Sequence, residues 1–252
     1  MHYRIIVTIG IVVIALFGMT ACTQRSFADE KANELRPGPI PLASSSVVPV
    51  SDNFNACELN SGLWTFLDPY AGTIAESELI VRGYSVDITI PAGFDHDIEE
   101  MVNEPYVRSP WLTQMIGDDD FTINVKFNSG IEEEGQIQGI LAAQDETHFI
   151  AISLRNNKDG FELVSRQFSD GAELPELANI DLSTGEGPIY LQLNRQQETW
   201  TLEYAYDGII WSDEIIFNSA LTVGEIGVFG GNFGLQPPTH TVSVDYFYNT
   251  FD

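Results

Sequence analysis

Apolar and polar residues alternate over several short runs in the chain after residue 51. Residues 121–127, 189–194 and 242–247 all follow this two-residue period, which is the period of a β-strand with one buried face. Residues 156–160 lie between two such runs and are rich in Asn, Asp and Gly, a composition that predicts a hairpin turn. Roughly a dozen strands at this spacing predict an all-β fold, a two-sheet antiparallel sandwich, rather than alternating strands and helices.

One stretch departs from the strand pattern. Residues 97–104 look locally helical, and a single turn is expected there. No internal repeat is present in the chain. Residues 51–252 are therefore predicted to form one large β domain.

The first 22 residues have the pattern of an export signal. Arg4 supplies a positive charge, and residues 5–17 are almost unbroken Ile, Val, Ala and Leu, a run shorter than the roughly 20 residues of a membrane-spanning helix. The run ends in Met19-Thr20-Ala21-Cys22, which resembles the bacterial lipobox, although Met stands where Leu is usual. The resemblance implies acylation of Cys22 and a lipid-anchored protein of the bacterial envelope. An ordinary signal peptide and an uncleaved anchor are the alternatives.

The segment between the signal and the β domain is rich in Pro and Ser, as in residues 36–41 and 44–46. Repeated Pro removes backbone donors, so an extended tether is expected. The predicted organisation is a lipoprotein signal over residues 1–22, a tether over residues 23–50 and the β domain over residues 51–252.

The chain has two cysteines, Cys22 and Cys57. Acylation of Cys22 would remove one of them, so no intramolecular disulfide is expected and the fold must depend on core packing.

The net charge is −26, and it becomes −27 without the leader, whose only charged side chain is Arg4. A surface of this sign repels phosphate backbones, which excludes nucleic acid as a partner. The charge is compatible with cation binding or with solubility in salty water, and we favour the second explanation.

Several motifs recur in an order that suggests a family. They are Ser51-Asp52-Asn53-Phe54-Asn55 with Leu63-Trp64, residues 110–114 leading into 119–122, residues 139–142 with 148–150, residues 206–211, residues 226–228 and Asp245-Tyr246-Phe247. Together they resemble the concanavalin A-like lectin/glucanase superfamily, especially the jelly-roll domain of bacterial secreted proteins that also occurs at the C-terminus of some β-xylosidases. The resemblance covers roughly residues 51–252. It implies two antiparallel sheets of about six or seven strands each and a concave face that often binds carbohydrate in relatives.

No catalytic residue is predicted. Glycoside hydrolysis needs two carboxylates about 5 to 9.5 Å apart, which laminarinase-type members of the superfamily carry on one strand as Glu-x-Asp-x-x-Glu. No Asp of this chain has Glu at both of those positions. A Gly-x-Ser-x-Gly elbow is also absent, and His96, His148 and His240 include no pair at zinc-ligand spacing.

A structural calcium ion is the one cofactor considered. Jelly rolls of this superfamily often tie their first and last strands together with calcium, and Asp52 and Asp245 fall in those strands. Carboxylate oxygens suit this hard cation. The alternative is that both are ordinary acids of edge strands.

Residues 93–111 form the richest mixture of aromatic and hydrogen-bonding groups in the chain. Sugars stack on aromatic rings while polar groups fix their hydroxyls, as in ligand pockets generally. The candidates are His96, Asp97, Arg108 and Gln114 for the polar part and Trp111 or Tyr106 for the ring. Alternatively, Trp111 packs in the core and Arg108 pairs with local acids.

The sequence therefore predicts a membrane-anchored, non-catalytic module that binds a polysaccharide or glycan or mediates adhesion. Two alternatives remain at this point. One is a glycoside hydrolase with a non-standard carboxylate pair, formed by residues distant in sequence. The other is a structural envelope protein whose partner is another protein.

Overall fold

The computed structural model describes residues 47–99, 108–170 and 172–250. Within these ranges the chain forms fifteen β-strands and no helix. The strands are β1 (Thr65–Leu67), β2 (Glu78–Val81), β3 (Val86–Ile90), β4 (Trp111–Met115), β5 (Phe121–Phe127), β6 (Gln136–Asp145), β7 (His148–Asn157), β8 (Gly160–Ser169), β9 (Ala172–Glu173), β10 (Ala178–Asp181), β11 (Ile189–Gln196), β12 (Thr199–Ala205), β13 (Ile215–Asn218), β14 (Glu225–Asn232) and β15 (His240–Asn249).

The strands form two antiparallel sheets, which confirms the predicted sandwich. The first sheet has eight strands in the order β1-β4-β14-β6-β7-β8-β10, with β9 paired to β8. The second has seven strands in the order β13-β12-β11-β5-β15-β3-β2. The hairpin predicted at residues 156–160 joins β7 to β8, where Asn157 pairs with Gly160.

The main core lies between the sheets. In β5 the odd-numbered residues 121–127 are buried and the even-numbered ones are partly exposed, so the predicted alternation is confirmed. This core also includes Ile140 and Val228 from the first sheet and Val242 from the second sheet.

The first sheet is buried on its other face as well. We call this side, which points away from the second sheet, the outer face of the first sheet. A separate cluster of buried residues covers it, formed by Ile98, Trp111, Ile137, Leu141, Ala143, Phe149, Ala151, Phe168 and Phe229. All eight residues of β14 are buried as a result.

Two sequence predictions fall partly or wholly outside the described ranges. Residues 97–99 are not helical, and the rest of the 97–104 segment lies outside the described residues. The signal over residues 1–22 also lies outside them. No helix among the described residues has the length and apolar character needed to cross a membrane.

Residues 47–50, which the sequence assigns to the tether, are attached to the domain. The Gly117 N–H donates to the Val47 carbonyl over 2.7 Å. The Gln114 side chain accepts from the Val50 N–H over 2.8 Å and donates to the Val50 carbonyl over 2.7 Å. Contacts of the domain therefore extend back to Val47.

Cys57 is disulfide-bonded in the structure, and no described cysteine is free. The expectation that the chain has no disulfide is therefore wrong. That expectation depended on acylation of Cys22, the only other cysteine of the chain, and Cys22 lies outside the described residues.

Candidate functional site

Trp111 is the first residue of β4 and lies on the outer face of the first sheet. Register places it beside Phe229 on β14, and its ring meets that of Phe149 edge-on, with centroids 5.3 Å apart and planes at 69°. The side chain is 1% exposed, and within the described part of the chain its indole N–H has no hydrogen-bond partner. Trp111 thus packs in the apolar layer, and a sugar could contact it only after local rearrangement.

His96 fastens residues 93–96 to the end of β14. Both ring nitrogens face oxygen acceptors, with Nε2 2.8 Å from the Ala75 carbonyl oxygen and Nδ1 3.2 Å from Oδ1 of Asn232. The ring also packs edge-on against Tyr70, with centroids 4.8 Å apart. Because the side chain is completely buried, its observed contacts are structural.

Gln114 lies away from these residues, at the contact between β4 and residues 47–50. Its amide makes both hydrogen bonds to Val50 and is buried. Tyr106 lies outside the described residues. The structure therefore brings His96, Asp97, Arg108 and Trp111 into one region and places Gln114 in another. A role for this set in sugar binding stays a prediction.

A buried ionic cluster was not anticipated from the sequence. One oxygen of Glu99, Oε2, accepts hydrogen bonds from Nη1 of Arg155 on β7 and from Nη1 of Arg166 on β8. The Glu99 side chain is 3% exposed, and its other oxygen has no hydrogen-bond partner among the described residues. The two guanidinium groups thus hold residues 97–99 against the outer face of the first sheet.

Three more acids at the edge of this cluster pair with the same two arginines, so the cluster has more carboxylates than guanidinium groups. Oε1 of Glu162 lies 3.2 Å from Nε of Arg155, and both Glu173 and Glu176 have an oxygen 3.3 Å from Arg166. The sequence signal for the cluster was the position of two arginines inside apolar strands of a chain that has only 11 Lys and Arg residues. Strand periodicity cannot show that two such side chains meet one loop carboxylate.

Asp97 is the most perturbed acid of the site. Its pKa is raised to about 7, because burial disfavours the charged form and because the Glu99 carboxylate lies nearby. The Glu99 N–H, which donates to Oδ1 of Asp97 over 2.8 Å, and the charge of Arg155 act in the opposite direction. Asp97 is therefore half protonated near neutral pH.

The pH dependence of stability provides a test of this environment. A raised folded-state pKa contributes stability below the unfolded value of about 4 that is lost as the pH rises through about 7. Relative to Asp97→Asn, the wild type should lose about 1.4 kcal/mol for each unit by which the folded pKa exceeds the unfolded one. Urea titrations of both proteins between pH 4 and 8 measure the difference.

The comparison with Asp97→Asn removes the contribution of other groups. Burial lowers the pKa of His240 to about 3, which costs stability as the pH falls below about 6.5, but it does so equally in both proteins. Parallel stability curves for the two proteins across this range would contradict the assignment.

The partly exposed portion of the region is the pair formed by Arg108 and Asp95. Nη1 of Arg108 lies 3.5 Å from Oδ2 of Asp95, and about a quarter of each side chain is accessible. The Asp95 carbonyl also accepts a hydrogen bond from the Tyr70 hydroxyl over 3.0 Å. The Arg108 guanidinium and the Asp95 carboxylate therefore reach the surface next to the buried cluster.

Asp52 and Asp245 do not fit a shared calcium ion. Oδ1 of Asp52 accepts from the Phe54 N–H over 2.8 Å, and Oδ2 accepts from Nε1 of Trp64 over 2.9 Å. Asp245 forms an ion pair with Lys126. Donors that a cation would have to displace already satisfy both carboxylates, and no group of three His, Cys, Asp or Glu among the described residues could hold a metal.

Removal of divalent cations should accordingly leave the melting temperature unchanged. A ligand that binds the folded state raises stability by mass action, so a bound calcium would reveal itself on chelation. The measurement is thermal unfolding with EDTA and with excess calcium. A fall in melting temperature with EDTA that calcium reverses would establish a site.

No family model and no curated protein matches the chain. The similar solved structures include the GH43 protein BlXynB from Bacillus licheniformis, with 15% identity, 79% of this chain and 38% of that chain covered, and a TM-score of 0.57. They also include the β-glucanase of Bacillus licheniformis, with 13% identity, coverage of 82% and 100%, and a TM-score of 0.56. The third is a legume lectin-like domain from Entamoeba histolytica, with 13% identity, coverage of 76% and 91%, and a TM-score of 0.54.

These likenesses define the class of the domain. It is a concanavalin A-like jelly-roll sandwich, the fold that the sequence motifs predicted. The chain spans about two fifths of the length of the GH43 protein, so the fold corresponds to one part of that protein. Fold alone does not specify an activity.

Proposed function

We propose that this protein is a non-catalytic carbohydrate-binding module displayed at the bacterial envelope. The observation that carries the proposal is that the acids on the outer face of the first sheet are held by hydrogen bonds and ion pairs within the protein. Glu99 is held by two arginines, Glu225 accepts a hydrogen bond from the Thr113 hydroxyl over 2.8 Å, and Asp97 accepts one from a backbone N–H. Carboxylates with these contacts hold parts of the chain together. They do not present a pair of carboxylates to a substrate.

The carbohydrate part of the proposal draws on proteins with the same fold. The solved structures with this sandwich include a β-glucanase and a lectin-like domain. In this chain the Arg108–Asp95 pair supplies the charged and polar groups that could fix sugar hydroxyls at the surface.

Glycan binding is tested with the purified full-length chain on an array of soluble glycans and in pull-downs with insoluble polysaccharides. We expect retention by at least one polysaccharide and weaker binding for Arg108→Ala and Asp95→Ala. Lys158→Ala, in the exposed β7–β8 turn, is the matched control and should bind normally. A folded protein that binds no glycan would reject the proposal and favour a protein partner.

A glycoside hydrolase is the second candidate, and one observation favours it. Asp97 and Glu99 are neighbouring acids in different environments, since the pKa of Asp97 is raised to about 7 whereas Glu99 is paired with two guanidinium groups. Such enzymes use two carboxyl groups, and the general acid of the pair has a raised pKa.

Release of reducing ends from xylan and β-glucan distinguishes the two candidates. The non-catalytic proposal expects none from the wild type. Turnover that Asp97→Asn abolishes and the control Asp159→Asn, in the exposed β7–β8 turn, preserves would establish the hydrolase instead.

Envelope anchoring rests on the lipobox-like residues that end at Cys22. We expect the mature protein to partition with detergent, and Cys22→Ser to abolish that partition. Mass spectrometry of the mature N-terminus supplies the chemical evidence. The anchor requires that the disulfide seen at Cys57 does not involve Cys22, the only other cysteine of the chain, because one sulfur cannot form both a thioether and a disulfide. A Cys22–Cys57 disulfide in the mature protein would therefore overturn acylation.

A further inference from the structure

The second sheet faces solvent on the side that points away from the first sheet. The centre of this side carries tyrosine rings and amides at neighbouring register positions. Register places Tyr190 of β11 beside Lys126 of β5, and Lys126 beside Tyr246 of β15. The next row contains Gln192, Asn124 and Tyr248 in the same strand order. We call these six residues the tyrosine–amide face. Three neighbouring strands make it about 10 Å wide.

The tyrosine rings are held in fixed positions. Tyr246 and Tyr248 stack with centroids 4.3 Å apart and planes at 9°, and Nζ of Lys126 lies 5.9 Å from the centre of the Tyr190 ring. The Tyr246 hydroxyl is 3.4 Å from Oδ1 of Asn124. Tyr248 is 36% exposed, so ring surface is available to a ligand at the edge of the stack.

The phenol of Tyr246 stays neutral over the physiological range. Burial raises its pKa to about 12, and Tyr190, Asp245 and Tyr248 add to the shift. The hydroxyl therefore keeps its proton, which it donates to Oδ1 of Asn124, and the face does not gain negative charge near neutral pH.

The six residues of the face include no acid, on a protein whose net charge is −26. Its one cation, Lys126, is paired with Asp245 of β15. The acid at its edge, Glu203 of β12, accepts a hydrogen bond from the Gln192 amide over 2.9 Å. A surface with so few charges on so acidic a protein is complementary to an uncharged ligand. A polyanion would be repelled by the surrounding acidic surface.

The side chains of the face indicate which chemical groups that ligand should carry. Aromatic rings offer apolar area with polar tips, and amides offer both donors and acceptors. Sugars present both kinds of surface, apolar C–H faces and hydroxyl groups. The face of a sheet suits a chain that lies along it better than a small ligand that needs enclosure.

We propose that the tyrosine–amide face binds an uncharged, extended polysaccharide. The inference shares with the proposed function the assumption that the ligand is carbohydrate, but it locates binding on the opposite side of the sandwich from Arg108. Tyr248 and Tyr246 supply the ring contacts, and Gln192 and Asn124 supply the hydrogen bonds to hydroxyls.

The test measures affinity of the full-length chain for cellulose, mixed-linkage β-glucan and polygalacturonate. Tyr248→Ala and Gln192→Ala remove a ring and an amide of the face, and Tyr248→Phe keeps the ring. Tyr84→Ala is the matched control, because Tyr84 is exposed and lies in the β2–β3 turn outside the face. Arg108→Ala reports on the first sheet. Thermal unfolding of each variant shows that the fold is intact.

We expect binding to an uncharged polysaccharide that Tyr248→Ala weakens about tenfold, a difference of 1.4 kcal/mol, while Tyr248→Phe and Tyr84→Ala bind as the wild type. Polysaccharide binding lost in Arg108→Ala but kept in Tyr248→Ala and Gln192→Ala would overturn this site and leave the proposed function standing. Preference for polygalacturonate would also overturn it. Absence of binding to every polysaccharide would reject both proposals.

Discussion

Replacement of Glu99 by Gln is expected to lower the free energy of unfolding by about 3–5 kcal/mol. The substitution keeps the size of the side chain and removes its charge. Arg155 and Arg166 would then lose the buried carboxylate on which both converge and keep only the more exposed Glu162, Glu173 and Glu176. Removal of one partner of a buried ion pair is costly. Urea unfolding at neutral pH measures the effect.

Glu173→Gln is the matched control for this experiment. Glu173 lies 3.3 Å from Nε of Arg166, but 45% of its side chain is exposed, so its removal should cost less than about 1 kcal/mol. Equal losses for the two variants would show that the Glu99 pairing does not anchor residues 97–99 to the sheet. The Glu99 variant should also lower the pKa of Asp97, because a neighbouring negative charge is gone.

Gly227→Ala is expected to destabilise the domain by more than about 4 kcal/mol or to prevent folding, a range reserved for severe core disruption. Gly227 lies on β14 between β4 and β6. A Cβ atom there would be 2.7 Å from the Thr113 Cα and still closer to the Leu112 carbonyl oxygen. Both obstacles are backbone atoms of β4, so a change of rotamer cannot relieve the overlap.

Gly224→Ala provides the comparison three residues away. A Cβ at that position would meet nothing closer than 3.6 Å, so the loss of stability should stay within about 1 kcal/mol. Soluble yield and thermal unfolding of the two variants measure the difference. A Gly227→Ala protein that melts like Gly224→Ala would refute the close approach of β4 and β14.

The candidate site illustrates what sequence reasoning missed. Residues 93–111 were singled out correctly as rich in polar and aromatic groups, and the structure places His96, Asp97 and Arg108 near one another. The sequence could not show that His96 and Trp111 would be buried. Nor could it show that Glu99 would meet two arginines from separate strands, because that contact joins residues 56 and 67 positions apart.

The sequence by itself determined the sandwich. Alternation in residues 121–127, 189–194 and 242–247 specifies strands with one buried face, and a short polar turn specifies the β7–β8 hairpin, because both depend on neighbouring residues. Tertiary structure alone decided that the outer face of the first sheet is buried and that of the second sheet exposes tyrosines and amides. The physical reason is that periodicity fixes which side chains share a face, whereas the segments that cover a face come from distant parts of the chain.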